Sequence, residues 1–187
     1  PRQNQHLIDV ASGTGDVARA FLKETNFSGK VSCVEPNENM LKIGEKKLKN
    51  FTNVKWYCAQ AEKLPFKDET FDIYVVSFGI RNFSNIRLAL NESRRVLKTG
   101  GRFLCLEFSK VNNEILSEFY KKYSKMIPYI GKYIVGKSEP YEYLINSIND
   151  FYSQEELLKL IKSNGFESVE FRDLSGGIAA IHSGWKI

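Results

Sequence analysis

Short apolar runs alternate with amphipathic stretches along the first 110 residues of the chain. The runs are rich in Val, Ile and aromatic residues, which is typical of β-strands. Between them, apolar residues recur every three or four positions, which indicates helices. The pattern predicts five strands, at residues 7–11, 31–34, 54–58, 71–77 and 102–108, and helices over residues 17–22, 37–48 and 88–97.

The second part of the chain follows a different pattern. Residues 111–150 are rich in Tyr, Lys and Ile and contain no recognisable strand. Ser153 and Glu156 then form a capping-box pattern at the start of a helix that reaches Asn164. Two strands, at residues 166–174 and 177–185, follow with no helix between them, so they form a hairpin and one of them is antiparallel to the rest.

Strands that alternate with helices imply parallel strands joined by right-handed crossovers. The prediction is therefore an α/β fold: a doubly wound, mostly parallel sheet of seven strands with an antiparallel strand in the C-terminal hairpin. All 187 residues are expected to form a single domain.

The composition excludes several classes of protein. With 42% hydrophobic and 26% charged residues, the chain is typical of a folded globular domain and unlike a disordered one. No apolar run approaches the roughly 18 residues of a membrane span. Cys33, Cys58 and Cys105 lie in separate predicted strands, so we expect inert core thiols rather than disulfides.

Charge and residue spacing exclude two kinds of site. A net charge of +5 permits an acidic partner without requiring one. The Lys residues are dispersed and no recognition motif is present, so no nucleic-acid binding is predicted. No cluster of His and Cys has metal-ligand spacing, so no metal site is predicted.

A glycine-rich turn after the first predicted strand is the strongest local sign of a ligand. Gly13 and Gly15 let a ligand approach the backbone and the free N–H groups of the helix that follows. Glu35, twenty residues after Gly15, directly follows the second strand, where a carboxylate can accept hydrogen bonds from both hydroxyls of a ribose. These features favour an adenosine-containing cofactor without identifying it, because Gly13, Gly15, Ala18 and Glu35 also satisfy the nicotinamide fingerprint.

Two later stretches distinguish between these cofactors. Residues 59–66 (Ala-Gln-Ala-Glu-Lys-Leu-Pro-Phe) follow the third predicted strand, and Phe71-Asp72 opens the fourth. With the glycine turn and the terminal hairpin, they resemble the class I S-adenosylmethionine-dependent methyltransferases over essentially the whole chain. Gln60 departs from the Asp or Asn usual at its position, although a Gln carbonyl can accept the same bond from the adenine amino group. The resemblance implies S-adenosyl-L-methionine as cofactor, S-adenosyl-L-homocysteine as product, and cofactor contacts from Asp9, Gly13, Thr14, Gly15, Glu35, Pro36, Met40, Gln60, Ala61 and Ser77.

Four segments narrow the resemblance further. They are residues 77–82 (Ser-Phe-Gly-Ile-Arg-Asn), residues 106–109 (Leu-Glu-Phe-Ser), residues 141–148 and residues 176–186. With them the chain resembles the ubiquinone/menaquinone biosynthesis C-methyltransferase family. This implies methyl transfer to a ring carbon of a polyprenylated benzoquinol or of demethylmenaquinol. The alternatives are an S-adenosylmethionine-dependent methyltransferase of another small or lipid substrate, and an NAD-binding oxidoreductase.

Arg81, Asn82 and Glu107 are the candidate catalytic residues, since they follow the carboxyl ends of predicted strands and can converge on one cleft. Arginine is a poor base, so we expect Arg81 to stabilise a developing phenolate, Asn82 to orient the ring oxygen or a water, and Glu107 to act as an acceptor or base. The structural alternatives are that Glu107 only pairs with Arg81 and that Asn82 only caps the next helix. The expected contacts to the acceptor are Phe78, Gly79, Ser109, Tyr141, Tyr143 and Ser147.

Residues 111–150 are expected to form an irregular insertion that covers the substrate, with Tyr141, Tyr143 and Ser147 in it. Within residues 110–137, six Lys accompany an apolar stripe at helical spacing. A helix of this kind can lie on an anionic bilayer or cover an apolar substrate, or it can simply pack on the core with its Lys side solvated.

The resemblance carries further expectations about the setting of the enzyme. In the family, an N-terminal helical segment precedes the glycine-turn strand, and this chain is expected to lack it. A lipid quinol is the implied substrate, with peripheral membrane contact, and a homodimer or a quinone-biosynthesis complex is the implied assembly. The implied location is the cytoplasmic face of a bacterial inner membrane, or the matrix side of the mitochondrion in a eukaryote.

Overall fold

A computed structural model of the chain describes residues 1–110 and 139–187. The predicted amphipathic helix within residues 110–137 lies, apart from its first residue, outside the described residues. The described strands are β1 His6–Val10, β2 Lys30–Val34, β3 Val54–Tyr57, β4 Phe71–Ser77, β5 Leu97–Phe108, β6 Glu167–Leu174 and β7 Ala179–Trp185. The described helices are α1 Asp16–Glu24, α2 Glu38–Lys47, α3 Ile86–Val96, α4 Glu139–Asn149 and α5 Gln154–Ser163, with 3₁₀ turns at Ile80–Asn82 and Ser175–Gly177.

The seven strands form one sheet in the order β3-β2-β1-β4-β5-β7-β6. Strands β1 to β5 are parallel, and β7 runs antiparallel to both of its neighbours, β5 and β6. This confirms the predicted doubly wound sheet and its antiparallel strand. Because the chain leaves β1 towards β2 on one side and later returns to pair β4 on the other, the strand order reverses between β1 and β4. Ligands of such sheets bind at the carboxyl ends of the strands at this reversal.

Apolar side chains fill both sides of the sheet. On one side, Ile8 and Phe103 pack in a cluster that includes buried residues of α3 and α5. On the other, Leu7 and Val31 pack with buried residues of α1. Because β1 is covered on both sides, its last four residues, 7–10, are all buried, as its continuous apolar run predicts.

Three local predictions need correction. β5 starts at Leu97, directly after α3, and not at Arg102, because Leu97 already pairs with Phe71 before a register shift in the ladder. Residues 139–149 form a helix where no regular element was predicted. Cys58 is exposed rather than buried, because β3 ends one residue before it.

Candidate functional site

A cleft of about 300 Å³ opens at the carboxyl ends of β1 to β4. Nine of the predicted site residues line it: Gly13, Glu35, Pro36, Met40, Gln60, Ala61, Phe78, Gly79 and Asn82. Six further residues line it that were not predicted: Val10, Ala11, Ala59, Glu62, Phe83 and Ser84. All six lie within three residues of a predicted site residue. Their position in the loops after the strands could have identified them, whereas their side-chain chemistry could not.

Glu35 joins the glycine turn to the start of α2. Its Oε2 accepts a hydrogen bond from the backbone N–H of Gly13 at 2.8 Å, and its Oε1 accepts one from the N–H of Asn37 at 2.9 Å. A carboxylate oxygen has two acceptor sites, so both oxygens can still accept from a ligand. Gly13 has a φ of +55°, and a Cβ on it would lie 3.3 Å from the Met40 side chain, so glycine keeps this part of the cleft open.

Asp9 lies beneath the glycine turn and is 1% exposed. Its Oδ2 and the Oγ of Ser12 are buried without a hydrogen-bond partner among the described residues. Burial raises the pKa of Asp9 to about 7, and the nearby Glu35 carboxylate adds to the rise. Buried polar atoms are nearly always hydrogen-bonded in native proteins, so these two atoms fit a site completed by a bound ligand or water.

Besides Asp9, three predicted cofactor contacts do not line the cleft. Gly15 has a φ of +80° and closes the turn, and a Cβ on it would lie 2.8 Å from Leu48, so this glycine serves the turn and its packing. The Thr14 hydroxyl donates to Asp16 at the surface. Ser77 ends β4 but is not part of the cleft wall. Their contact with a cofactor stays a prediction.

Arg81 and Glu107 form a buried ion pair beside the cleft. The Nη1 of Arg81 lies 2.7 Å from the Oε1 of Glu107, and the side chains are 9% and 1% exposed. The same Nη1 donates to the backbone carbonyl of Phe78 at 2.7 Å. Burial raises the pKa of Glu107, and the Arg81 guanidinium opposes that rise. The pairing of Glu107 with Arg81, which was the structural alternative for Glu107, is therefore present. Neither residue lines the cleft.

Asn82 is the one candidate catalytic residue of the three that lines the cleft. Its Oδ1 accepts a hydrogen bond from the hydroxyl of Tyr143 at 2.8 Å. The alternative role of a helix cap is wrong for Asn82, because Asn85 occupies the N-cap position of α3 and accepts from the N–H of Leu88. Asn82 is therefore free to face a ligand.

Phe78 and Gly79 form the cleft wall next to Asn82. Phe78 is exposed, has a φ of +55° and packs against the ring of Phe108 at 4.6 Å between centroids. A Cβ on Gly79 would collide with the Cβ of Ala11, so glycine is required where the turns after β1 and β4 meet.

The remaining predicted acceptor contacts lie at different places. Ser109 is buried and donates to the carbonyl of Gly177 at 2.8 Å, which ties the end of β5 to the turn before β7. Tyr141, Tyr143 and Ser147 lie on α4, and not on an irregular lid. Tyr143 and Ser147 are four residues apart and so share a face of α4, and this face meets Asn82 and Arg81.

Two further findings concern the described part of the chain. Residues 1–110 and 139–187 contain no group of three or more His, Cys, Asp or Glu that could hold a metal ion. Within the same ranges, no helix has the length and the apolar character that a membrane span needs.

Sequence comparison identifies relatives over nearly the whole chain. The model of the ubiE/COQ5 methyltransferase family matches residues 1–186. The ubiquinone/menaquinone biosynthesis C-methyltransferase UbiE of Rickettsia akari is 49% identical over 194 aligned positions, which cover 100% of this chain and 78% of that protein. The protein of the same name from Rickettsia massiliae is 50% identical and covers 99% of this chain and 77% of its own length.

Solved structures share the fold at much lower sequence identity. A SAM-dependent methyltransferase from Aquifex aeolicus has a TM-score of 0.73 at 18% identity, over 100% of this chain and 84% of that one. The phosphoethanolamine N-methyltransferase 2 of Haemonchus contortus, in complex with S-adenosyl-L-methionine, has a TM-score of 0.73 at 16% identity, over 100% of this chain and 49% of that one. The fold and the family predicted from the glycine turn and from residues 77–82 and 106–109 are confirmed. The chain belongs to the ubiE/COQ5 methyltransferase family and is an S-adenosylmethionine-dependent methyltransferase.

Proposed function

We propose that this chain transfers a methyl group from S-adenosyl-L-methionine to a ring carbon of a polyprenylated benzoquinol or of demethylmenaquinol. The observation that carries the proposal is a continuous cleft that joins Gly13 and Glu35 to Phe78 and Asn82. A methyl donor and a flat acceptor held in one cleft can be aligned at reacting distance, which methyl transfer requires. The names of the Rickettsia relatives support this class of acceptor.

The chemistry of the acceptor defines what the protein must do. S-adenosyl-L-methionine would supply an electrophilic methyl group when bound. The electron pair of the ring carbon would form the new bond to this methyl group as the methyl–sulfur bond breaks. The electrons of the broken bond would remain on sulfur, which leaves S-adenosyl-L-homocysteine as product. The ring carbon is nucleophilic enough when a phenol of the quinol has lost its proton, at least in part. The ring proton leaves afterwards and the phenol is restored, so one proton is released for each methyl transferred.

The cofactor half of the cleft supplies hydrogen-bond acceptors. Glu35 is placed to accept from the ribose hydroxyls, since each of its carboxylate oxygens has a free acceptor site. Gln60 has an exposed side chain in the same wall, where its carbonyl can accept from the adenine amino group. Pro36 and Met40 contribute apolar surface beside Glu35.

The acceptor half of the cleft supplies a hydrogen-bond donor. Asn82 can donate from its amide to the ring oxygen on which negative charge develops. Arg81 does not line the cleft, and its guanidinium binds Glu107 and the carbonyl of Phe78. We therefore assign Arg81 a positioning role: its hydrogen bonds to Glu107 and to the carbonyl of Phe78 stabilise the Ile80–Asn82 turn on the side away from the cleft.

The acceptor can be tested directly with labelled cofactor. We expect transfer of the labelled methyl group to the ring of a short-chain benzoquinol or naphthoquinol analogue, and binding of S-adenosyl-L-homocysteine but not NADH in isothermal titration. Label in neither quinol would exclude the proposed acceptors. Binding of NADH in place of S-adenosyl-L-homocysteine would exclude the cofactor and favour an oxidoreductase.

A polyprenylated acceptor resides in a membrane, so we further propose peripheral contact with the face of a bacterial inner membrane, or of its mitochondrial counterpart. The six Lys within residues 110–137 and the net charge of +5 support this. We expect the protein to sediment with vesicles that contain anionic lipid and to remain in the supernatant with neutral ones. Equal sedimentation with both kinds of vesicle, or with neither, would contradict an electrostatic contact.

A homodimer remains part of the proposal and would elute in size-exclusion chromatography at twice the 21.5 kDa of the chain.

The role of Arg81 predicts a separation of turnover from cofactor binding. Arg81→Ala should lower kcat on the order of 100-fold, because Asn82 loses its support. The Kd for S-adenosyl-L-homocysteine should remain within about twofold. Stability should also fall by about 3–5 kcal/mol, because the charge of Glu107 is left buried and unpaired, so kcat is measured at a temperature where the variant is folded.

Arg95→Ala is the matched control for this variant. Arg95 also forms ion pairs, with Glu92 and Asp68, but it makes no ion pair or hydrogen bond to the Ile80–Asn82 turn or its neighbours. Its removal should leave kcat unchanged. An unchanged kcat in Arg81→Ala would refute the assigned role.

The pKa of Asp9 predicts a specific pH dependence of stability. The folded chain binds a proton at Asp9 below about pH 7, whereas the unfolded chain binds it only below about pH 3.8. The contribution of Asp9 to stability must therefore fall as pH rises from about 4 towards 7, and its loss is complete above 7. Asp9→Asn should remove this contribution to the pH dependence, be more stable than the unchanged protein at pH 8, and bind S-adenosyl-L-homocysteine more weakly.

Urea unfolding at pH 5.5 and pH 8 measures the effect. Asp16→Asn is the matched control, because Asp16 is exposed and its pKa is lowered from 3.8, so it does not titrate between these two pH values. The same difference between pH 5.5 and pH 8 in Asp9→Asn as in the unchanged protein would contradict the assignment.

A further inference from the structure

One hydrogen bond connects the helix α4 to the cleft wall. The Tyr143 hydroxyl donates to the Oδ1 of Asn82 at 2.8 Å, across 61 residues of sequence. Tyr143 is 60% exposed, so burial of its ring contributes little to its placement. Among the described residues, Asn82 is the hydrogen-bond partner of this hydroxyl.

The hydrogen bond determines which side of the Asn82 amide faces the cleft. An Asn amide has an acceptor oxygen and a donor NH₂ group, and a rotation by half a turn exchanges them. Tyr143 occupies the oxygen, and the NH₂ group has no partner among the described residues. Because Asn82 lines the cleft, this leaves two N–H donors available to a ligand.

We infer that Tyr143 is a positioning residue that fixes the Asn82 amide with its NH₂ group towards the ring oxygen of the acceptor. The inference rests on the proposed function, in which that oxygen becomes a phenolate. A phenolate only accepts hydrogen bonds, so the NH₂ group stabilises it and the amide oxygen repels it. A fixed orientation of the amide removes the free-energy cost of selecting the productive orientation in each turnover.

A second contact sets the position of α4 against the same turn. Ser147, one helical turn after Tyr143, lies with its Oγ 3.3 Å from the Nε of Arg81. Ile148 next to it is buried and anchors the helix. Because Arg81 and Asn82 are adjacent, the two contacts align one face of α4 with both residues.

A double-mutant cycle in the methyl-transfer assay tests the inference. Tyr143→Phe retains the ring and removes the hydroxyl, so we expect kcat to fall roughly five- to tenfold, as for loss of one neutral hydrogen bond. The Kd for S-adenosyl-L-homocysteine should not change. In an Asn82→Ala background, the same substitution should have no further effect, because Tyr143 acts only through Asn82.

Tyr152→Phe is the matched control, since Tyr152 is also exposed but, unlike Tyr143, makes no hydrogen bond to Asn82, and it should not change kcat. An equal loss from Tyr143→Phe in both backgrounds would mean that the hydroxyl contacts the acceptor itself, and would overturn the inference. An unchanged kcat in Tyr143→Phe alone would overturn it as well.

A separate measurement distinguishes failure of the inference from failure of the proposed function. If the unchanged protein methylates neither quinol, the proposed function has failed. The orientation of the amide can still be read from the side-chain NH₂ resonances of Asn82, identified by their absence in Asn82→Ala. Tyr143→Phe should shift them or broaden them by exchange between two orientations. Unaltered resonances would overturn the positioning role.

Discussion

The cofactor half of the site depends on the carboxylate of Glu35. One oxygen holds the N–H of Gly13 and the other holds the N–H of Asn37, so the turn after β1 and the start of α2 are fixed to the same group. Hydrogen bonds to a charged acceptor are stronger than those between neutral groups. The glycine turn can therefore remain open, without a side chain of its own to support it.

The acceptor half depends on the buried pair of Arg81 and Glu107. Burying either charge alone would be very costly, so the two residues stabilise each other's position. The ion pair fixes the Ile80–Asn82 turn, and the position of this turn determines where Asn82 lies in the cleft wall. The two halves thus use the same principle: a carboxylate at the end of a strand orders a neighbouring turn.

The sequence predicts most of this arrangement because buried parallel strands are continuous apolar runs. The start of β5 was missed because residues 98–101, Lys-Thr-Gly-Gly, are typical of a turn, although the ladder already begins at Leu97. The helix α4 was missed because its Tyr-rich composition does not favour a helix, and its placement depends on tertiary contacts. Gly13 and Glu35 were identifiable because one lies in the turn after the first predicted strand and the other directly follows the second. The direction of a side chain was not, which is why Ser109 was assigned to the acceptor although it faces Gly177.

The two halves of the cleft also differ in the length of chain that each must close. The bond between Gly13 and Glu35 spans 22 residues, whereas the one between Arg81 and Ser147 spans 66. A threefold longer loop costs about 1 kcal/mol more in chain entropy, since each doubling costs about 0.6 kcal/mol. We therefore expect amide hydrogen exchange in α4 to be faster than in the glycine turn.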